Sequence, residues 1–146
     1  MKFVLLSCCV FFTSCSLILN FQDLPKPKGE YIIGTDIFNW EDTYRDEWFT
    51  KDKIDSRKIV VQVWYPASEK SDSLYPYMDY PNLRVESISK MIGKSKGLIK
   101  PVVNVRTNTY YKAKPIAQKF PLILFSHGLG GYKNQNLINI ETLVSQ

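Results

Sequence analysis

Cysteine is confined to the first fifteen residues of this 146-residue chain, at Cys8, Cys9 and Cys15, and none occurs beyond them. A disulfide framework for the remainder is thereby excluded. Histidine is scarcer still, since His127 stands alone. One histidine with distant cysteines cannot build a zinc site of ordinary ligand count, and no nucleotide or haem motif is present, so neither metal nor cofactor is expected. Internal repeats and low-complexity tracts are also missing. At 45% hydrophobic and 23% charged residues, the chain has enough apolar mass to bury a core, which excludes wholesale disorder. Its length suits one domain or part of a larger one.

Acid is what the middle of the chain lacks. From Arg84 to Lys119 nine Lys or Arg accompany one acid, Glu86, whereas Asp36 to Asp55 carries seven acids and three bases. A basic stretch within a chain of net charge +5 suits phosphate headgroups or nucleic acid. No nucleic-acid motif accompanies it, so nucleic acid is not expected as a partner, and a solvated Lys-rich surface is the plainer reading.

The N-terminus has the layout of an export signal. Lys2 gives a positive start, Phe3 to Phe12 an apolar run, and Thr13-Ser14-Cys15 small residues before a cysteine. The same layout resembles the bacterial lipobox, in which the cysteine becomes the lipidated N-terminus, and Cys15 is the candidate. Ordinary secretion and an uncleaved anchor over Phe3 to Phe21 are the alternatives. All three place the rest of the chain outside the cytoplasm. The expected organisation is a signal peptide over 1–15, of lipoprotein type, a linker over 16–29 containing Pro25, Pro27 and Gly29, and a domain over 30–146.

Within that domain, Glu30 to Asp36 reads as a first strand and Asp36 to Asp55 as an acidic, aromatic hairpin or loop. Lys58 to Tyr65 (KIVVQVWY) reads as a strand buried on both faces and ended by Pro66. A turn-rich loop over Ser68 to Pro81 precedes a helix near Leu83 to Ile92, whose apolar face would comprise Leu83, Ile88 and Met91-Ile92. Gly93 to Gly97 breaks it. Val102 to Tyr111 is ambiguous. Pro121 to Phe125 (PLILF) is a continuous apolar run of the kind a central parallel strand shows. Glycines come next, and a helix runs to about Val144 with Asn134 or Asn136 as N-cap.

The chemistry lies in Pro121-Leu-Ile-Leu-Phe-Ser-His-Gly-Leu-Gly-Gly131, an apolar strand running into a glycine turn and then a helix. Ester hydrolysis builds negative charge on the carbonyl oxygen, and backbone N–H groups fixed at that point stabilise it. A turn without Cβ atoms can aim such groups, and α/β-hydrolases place one oxyanion donor in the loop between the third strand and the first helix.

Gly34-Thr35-Asp36, Val61-Gln62-Val63-Trp64-Tyr65-Pro66-Ala67 and Phe125-Ser126-His127-Gly128-Leu129-Gly130-Gly131, in that order and spacing, resemble the platelet-activating factor acetylhydrolase family of the plasma or isoform II type. The resemblance implies an α/β fold of the α/β-hydrolase kind, here its N-terminal part: an antiparallel start leading into a mostly parallel sheet with flanking helices. It implies an extracytoplasmic carboxylic-ester hydrolase that cleaves short or oxidised acyl chains from phospholipid by a Ser-Asp-His triad. It assigns the oxyanion donor to the Leu129 backbone N–H and the support of that loop to His127, Gly128, Gly130 and Gly131. A general carboxylesterase or polyesterase of the same fold, and a non-catalytic surface lipoprotein, remain as alternatives. The partners expected are a phospholipid or other ester substrate and, through lipidated Cys15, the membrane.

The triad itself is not expected in this chain. Its order is Ser, Asp, His, all after the oxyanion loop, and the single histidine already sits in that loop. The 146 residues are therefore expected to stop before the nucleophile elbow and to be inactive alone. Gly93-Lys94-Ser95-Lys96-Gly97 fits G-x-S-x-G, but no buried strand precedes it, so Ser95 reads as a loop residue.

Overall fold

The computed structural model describes residues 23–52 and 55–146. The expected signal peptide over 1–15, the lipidation candidate Cys15 and the first part of the 16–29 linker lie outside the described residues. The chain forms two compact units, one containing Pro76–Thr107, the other Lys26–Tyr75 and Asn108–Gln146.

The second unit is built on a hairpin. Strand β1 (Ile32–Asp46) pairs antiparallel with β2 (Ser56–Ala67), from Ile32 opposite Ala67 to Asp46 opposite Ser56. The acidic stretch expected as hairpin or loop is largely strand, and β1 runs ten residues past Asp36. Between Asp42 and Asp46 the register slips, so Thr43 to Arg45 bulge out. Asp42 organises the bulge: its carboxylate accepts from the Tyr44 N–H at 3.0 Å and from Arg45 Nε at 2.5 Å. The bond from Arg45, then that from Tyr44, hold its pKa below the ordinary carboxylate range.

Pro66 does not end β2, contrary to expectation. It lies opposite Ile33, and its carbonyl accepts from the Ile116 N–H at 3.0 Å. That carbonyl points away from β1, so the ring nitrogen does too, and no ladder bond is lost. Strand β3 (Thr109–Tyr111) resolves the ambiguous 102–111 region in part and pairs parallel with β1 on its other edge. The sheet order is β2-β1-β3. Ile33, Gly34 and Thr35, flanked on both sides, are buried, while Phe38, Trp40 and Tyr44 further along β1 are exposed.

Gly34 makes that centre possible. A Cβ there would lie 2.4 Å from the Tyr65 ring, which covers the glycine while its hydroxyl donates to the Ala113 carbonyl at 2.7 Å. Burial, with a smaller contribution from Asp36, raises the Tyr65 pKa and keeps the phenol a donor.

The last helix of this unit spans Leu137–Val144, with Asn136 as N-cap and no side-chain cap bond. It docks through two fully buried side chains, Leu137 and Glu141. The Glu141 carboxylate accepts from the Asn108 N–H, the Asn108 side-chain amide and the Thr109 hydroxyl, each at 2.8 Å. Three donors satisfy it without a cation, which is the condition for burying a carboxylate.

The first unit is small. Helix α1 (Pro81–Ile92) starts with Pro81, pre-set at a position where its missing N–H costs nothing. It ends at Gly93, φ 64°, in a Schellman motif: Gly93 N–H donates to Lys90 O and Lys94 N–H to Ser89 O. A short helix α2 (Lys96–Ile99) and a 3-10 turn (Lys100–Asn104) come after it. Met78, Val85 and Ile99 form the core, with Ile88, Val102 and Val103 against it. The apolar face expected for α1 is corrected accordingly. Val85 and Ile88 carry it, while Leu83 and Met91 are exposed. The helix of the second unit, Leu137–Val144, is α3.

Candidate oxyanion turn

Two anchors bracket the glycine motif, both within the second unit. Phe120 meets the Tyr31 ring edge-on at 5.5 Å, and Asn134 and Leu137 are fully buried. Between them the chain is open, and residues 121–130 are all exposed. This corrects the expectation of a central strand at Pro121–Phe125. No strand forms there, and Leu122 and Leu124 are more than four-fifths exposed. The reason is pairing. Strand β1 is already paired on both edges, and among the described residues neither edge strand, β2 nor β3, takes 121–125 as its neighbour. An apolar run without a neighbour on either side has no sheet to enter, whatever its side chains. Among the described residues the elements are a mixed three-stranded sheet and few helices, consistent with part of the expected fold.

The turn itself is well defined. The Gly131 N–H donates to the Gly128 carbonyl at 2.9 Å, which closes a four-residue turn over Gly128-Leu129-Gly130-Gly131. Gly130 has φ 77°, and Leu129 is not among the residues of positive φ. Positive φ at the third position alone defines type II, so Gly130 is the residue this turn requires. Gly131 is needed for space: a Cβ there would lie 3.0 Å from the Gly128 carbonyl oxygen and 3.0 Å from the His127 Cβ. Gly128 has nothing near its Cβ position.

His127 faces solvent, and its Nδ1–H donates to the Gly128 carbonyl at 3.0 Å. The Gly128 oxygen is thus held twice. At the second position the Leu129 side chain is fully exposed. Its N–H takes no part in the turn's own bond and meets no acceptor among the described residues. A rigid turn that presents an unused amide is a donor available to an anionic oxygen.

The serine that fits G-x-S-x-G falls elsewhere, in the first unit. Ser95 is the N-cap of α2, its hydroxyl accepting from the Gly97 N–H at 3.3 Å. Asp36 lies on β1 with its carboxylate accepting from the Ile37 N–H at 2.8 Å, and Asp79 pairs with Arg84 at 2.6 Å. Among the described residues no three His, Cys, Asp or Glu gather as a metal site would need.

What the sequence reading missed is the polar network around Lys133, two residues after the turn. Lys133 Nζ donates to Gln62 Oε1 at 2.8 Å and to the Tyr75 hydroxyl at 3.0 Å. Gln62 Nε2 donates to Thr35 Oγ1 at 3.0 Å, and the Thr35 hydroxyl donates to the Val63 carbonyl at 2.9 Å. A signal existed in Gln62, the one polar residue in VVQVWY, since a polar side chain in an apolar strand needs a partner. Nothing local identified that partner.

The profile of the family described as platelet-activating factor acetylhydrolase, isoform II, matches residues 18–140. The chain belongs to that family. The match spans the hairpin and the glycine turn, so in this acetylhydrolase family member the turn lies inside the shared region. Among solved structures the chain is similar to a ferulic acid esterase from Streptomyces cinnamoneus, at 23% identity and a TM-score of 0.49 over 69% of this chain. It spans 26% of that esterase's length. No curated protein sequence matches the chain.

Proposed function

We propose that these residues supply the oxyanion turn and part of the sheet of an extracytoplasmic carboxylic-ester hydrolase. The reading is carried by the unused Leu129 N–H, held at the second position of a glycine turn in a member of an acetylhydrolase family. In this account a serine from beyond these 146 residues attacks the ester carbonyl, and its histidine base and orienting acid come from there as well. As the carbonyl carbon becomes tetrahedral, its oxygen takes the negative charge, and the Leu129 N–H donates to it. His127 holds the turn and carries no proton to or from the substrate. The substrate class is a phospholipid with a short or oxidised acyl chain.

Export rests on Lys2, the apolar run Phe3 to Phe12 and Cys15. Cys15 is the proposed lipidation site. Metabolic labelling with radioactive palmitate in a bacterial host marks the wild-type protein and not Cys15→Ala. Equal labelling of both ends that assignment.

The oxyanion role has a test that leaves the turn standing. Proline suits the second position of a type II turn and has no N–H. Leu129→Pro, in the protein expressed from its complete reading frame, therefore lowers kcat for p-nitrophenyl acetate by about 100- to 1000-fold, the usual cost of one oxyanion donor. Leu129→Ala, which removes only a solvent-facing side chain, leaves kcat within about twofold. A Leu129→Pro enzyme with undiminished kcat removes the reading. Acyl-length profiling of the wild-type enzyme then separates a short-acyl phospholipid hydrolase from a general carboxylesterase.

A further inference from the structure

We infer that Lys133 is a positioning residue for the oxyanion turn, tying its C-terminal foot to the sheet through Gln62 and Tyr75. The inference rests on the reading of Gly128–Gly131 as an oxyanion turn.

Residues 121–130 are exposed, so the turn cannot be aimed by packing of its own side chains. Its direction must come from where its ends are held. On the N-terminal side the hold is the ring contact of Phe120 with Tyr31, nine residues before Leu129. On the C-terminal side Lys133 lies two residues after Gly131 and is half-buried.

Gln62 and Tyr75, to which Lys133 donates, are themselves fixed. The Gln62 amide is oriented by both ends: its oxygen accepts from the lysine, and its nitrogen donates to Thr35 Oγ1. Thr35 is fully buried in the central strand, and its hydroxyl donates to Val63 O. Tyr75 is buried, its N–H donates to Thr109 O at 2.7 Å, and its ring stands 5.8 Å from that of Tyr111. The ammonium also lies 5.4 Å from the Tyr75 ring centroid, a favourable placement of a cation by an aromatic ring.

One side chain thus joins the short link after the turn to a strand and to a strap bonded to β3. The acceptors at Gln62 and Tyr75 are neutral oxygens. Both bonds are directed hydrogen bonds from a charged donor, which fix geometry more sharply than a solvated ion pair does. Because a misplacement of about 1 Å at a reacting group can cost about 100-fold in rate, loosening this tie acts on kcat through the Leu129 amide.

The test uses the protein expressed from its complete reading frame, with Lys133→Met, Lys133→Arg and Tyr75→Phe. Methionine keeps the apolar stem and removes the donors. Lys133→Met is expected to lower kcat for p-nitrophenyl acetate by about 10- to 100-fold with KM within about twofold, because the loss falls on the transition state. It weakens a trifluoromethyl ketone inhibitor, whose adduct carries an oxyanion, by the same factor. Lys133→Arg, still a donor to both oxygens, restores at least half of kcat. Hydrogen exchange of the peptide over residues 126–132 quickens about tenfold in Lys133→Met, while peptides of β1 and β2 keep their rates. Tyr75→Phe, which leaves the lysine in place, gives an intermediate loss and stands in if Lys133→Met does not fold.

An unchanged exchange rate at 126–132, or a loss of kcat that arginine does not rescue, overturns the inference while Leu129→Pro still defines the oxyanion role. A Leu129→Pro enzyme of full activity removes the oxyanion reading itself, and this inference with it.

Discussion

The two flanks of the glycine turn contrast sharply. Before it stands Pro121–Phe125, an uninterrupted apolar run, and it is exposed. After it stand Lys133, Asn134, Leu137 and Glu141, three of them polar, and all are buried or half-buried. Hydropathy alone orders the two flanks the wrong way round. Burial goes to the segment whose backbone and polar groups find partners. Side chains such as Leu122 cannot be buried if their own N–H and C=O groups have no strand to join. A carboxylate such as Glu141 can be, because three donors meet it.

The sharpest way to break that contrast is at Glu141. Replacing it with leucine keeps the bulk and leaves the Asn108 N–H, the Asn108 amide and the Thr109 hydroxyl facing an apolar group. Glu141→Leu is expected to destabilise the chain by about 3 kcal/mol or more in urea unfolding, since each orphaned buried donor costs about 1–3 kcal/mol. Glu141→Gln keeps one accepting oxygen and costs about 1 kcal/mol. If leucine proves neutral, the carboxylate is not what holds α3 to β3.

A smaller and paired effect comes from two leucines. Leu137→Ala empties a fully buried site and is expected to cost about 3 kcal/mol, whereas Leu122→Ala, at an 82% exposed side chain, stays within about 0.5 kcal/mol. Urea midpoints of the two variants measure both. The same pair also sharpens the picture of the flank. In any longer form of the protein where 121–125 is paired within a sheet, Leu122→Ala rises to the cost of Leu137→Ala.

Much of this architecture was legible in local pattern. Alternation and β-branching in KIVVQVWY marked β2, Gly93 marked the end of α1, and the apolar spacing after Asn136 marked α3. The turn was legible too, because glycines in positions 128–131 constrain the backbone directly. What failed was whatever depended on a distant partner. PLILF reads as a strand because its side chains suit one, yet strand formation is a property of two segments. The packing face of α1 depends on Ile99, Val102 and Val103, which a helical projection of 83–92 cannot include. Lys133 carries no mark of its own, since its partners Gln62 and Tyr75 lie 71 and 58 residues away.

The outer margin of β2 has one more consequence. A long hairpin with an open side is a template on which further copies of a chain can stack into fibres. Here the proline near one end offers no donor, and residues 114–116 lie along that end, with Ala67 bridged to Pro115. At the opposite end the bulge of Thr43 to Arg45 in β1 breaks the regular β1–β2 ladder beyond Arg57. A second molecule approaching from that side finds only the stretch between Arg57 and Tyr65 in regular register, with Lys58 exposed upon it. Bounding the ladder at both ends in this way resists self-templated growth without adding a strand.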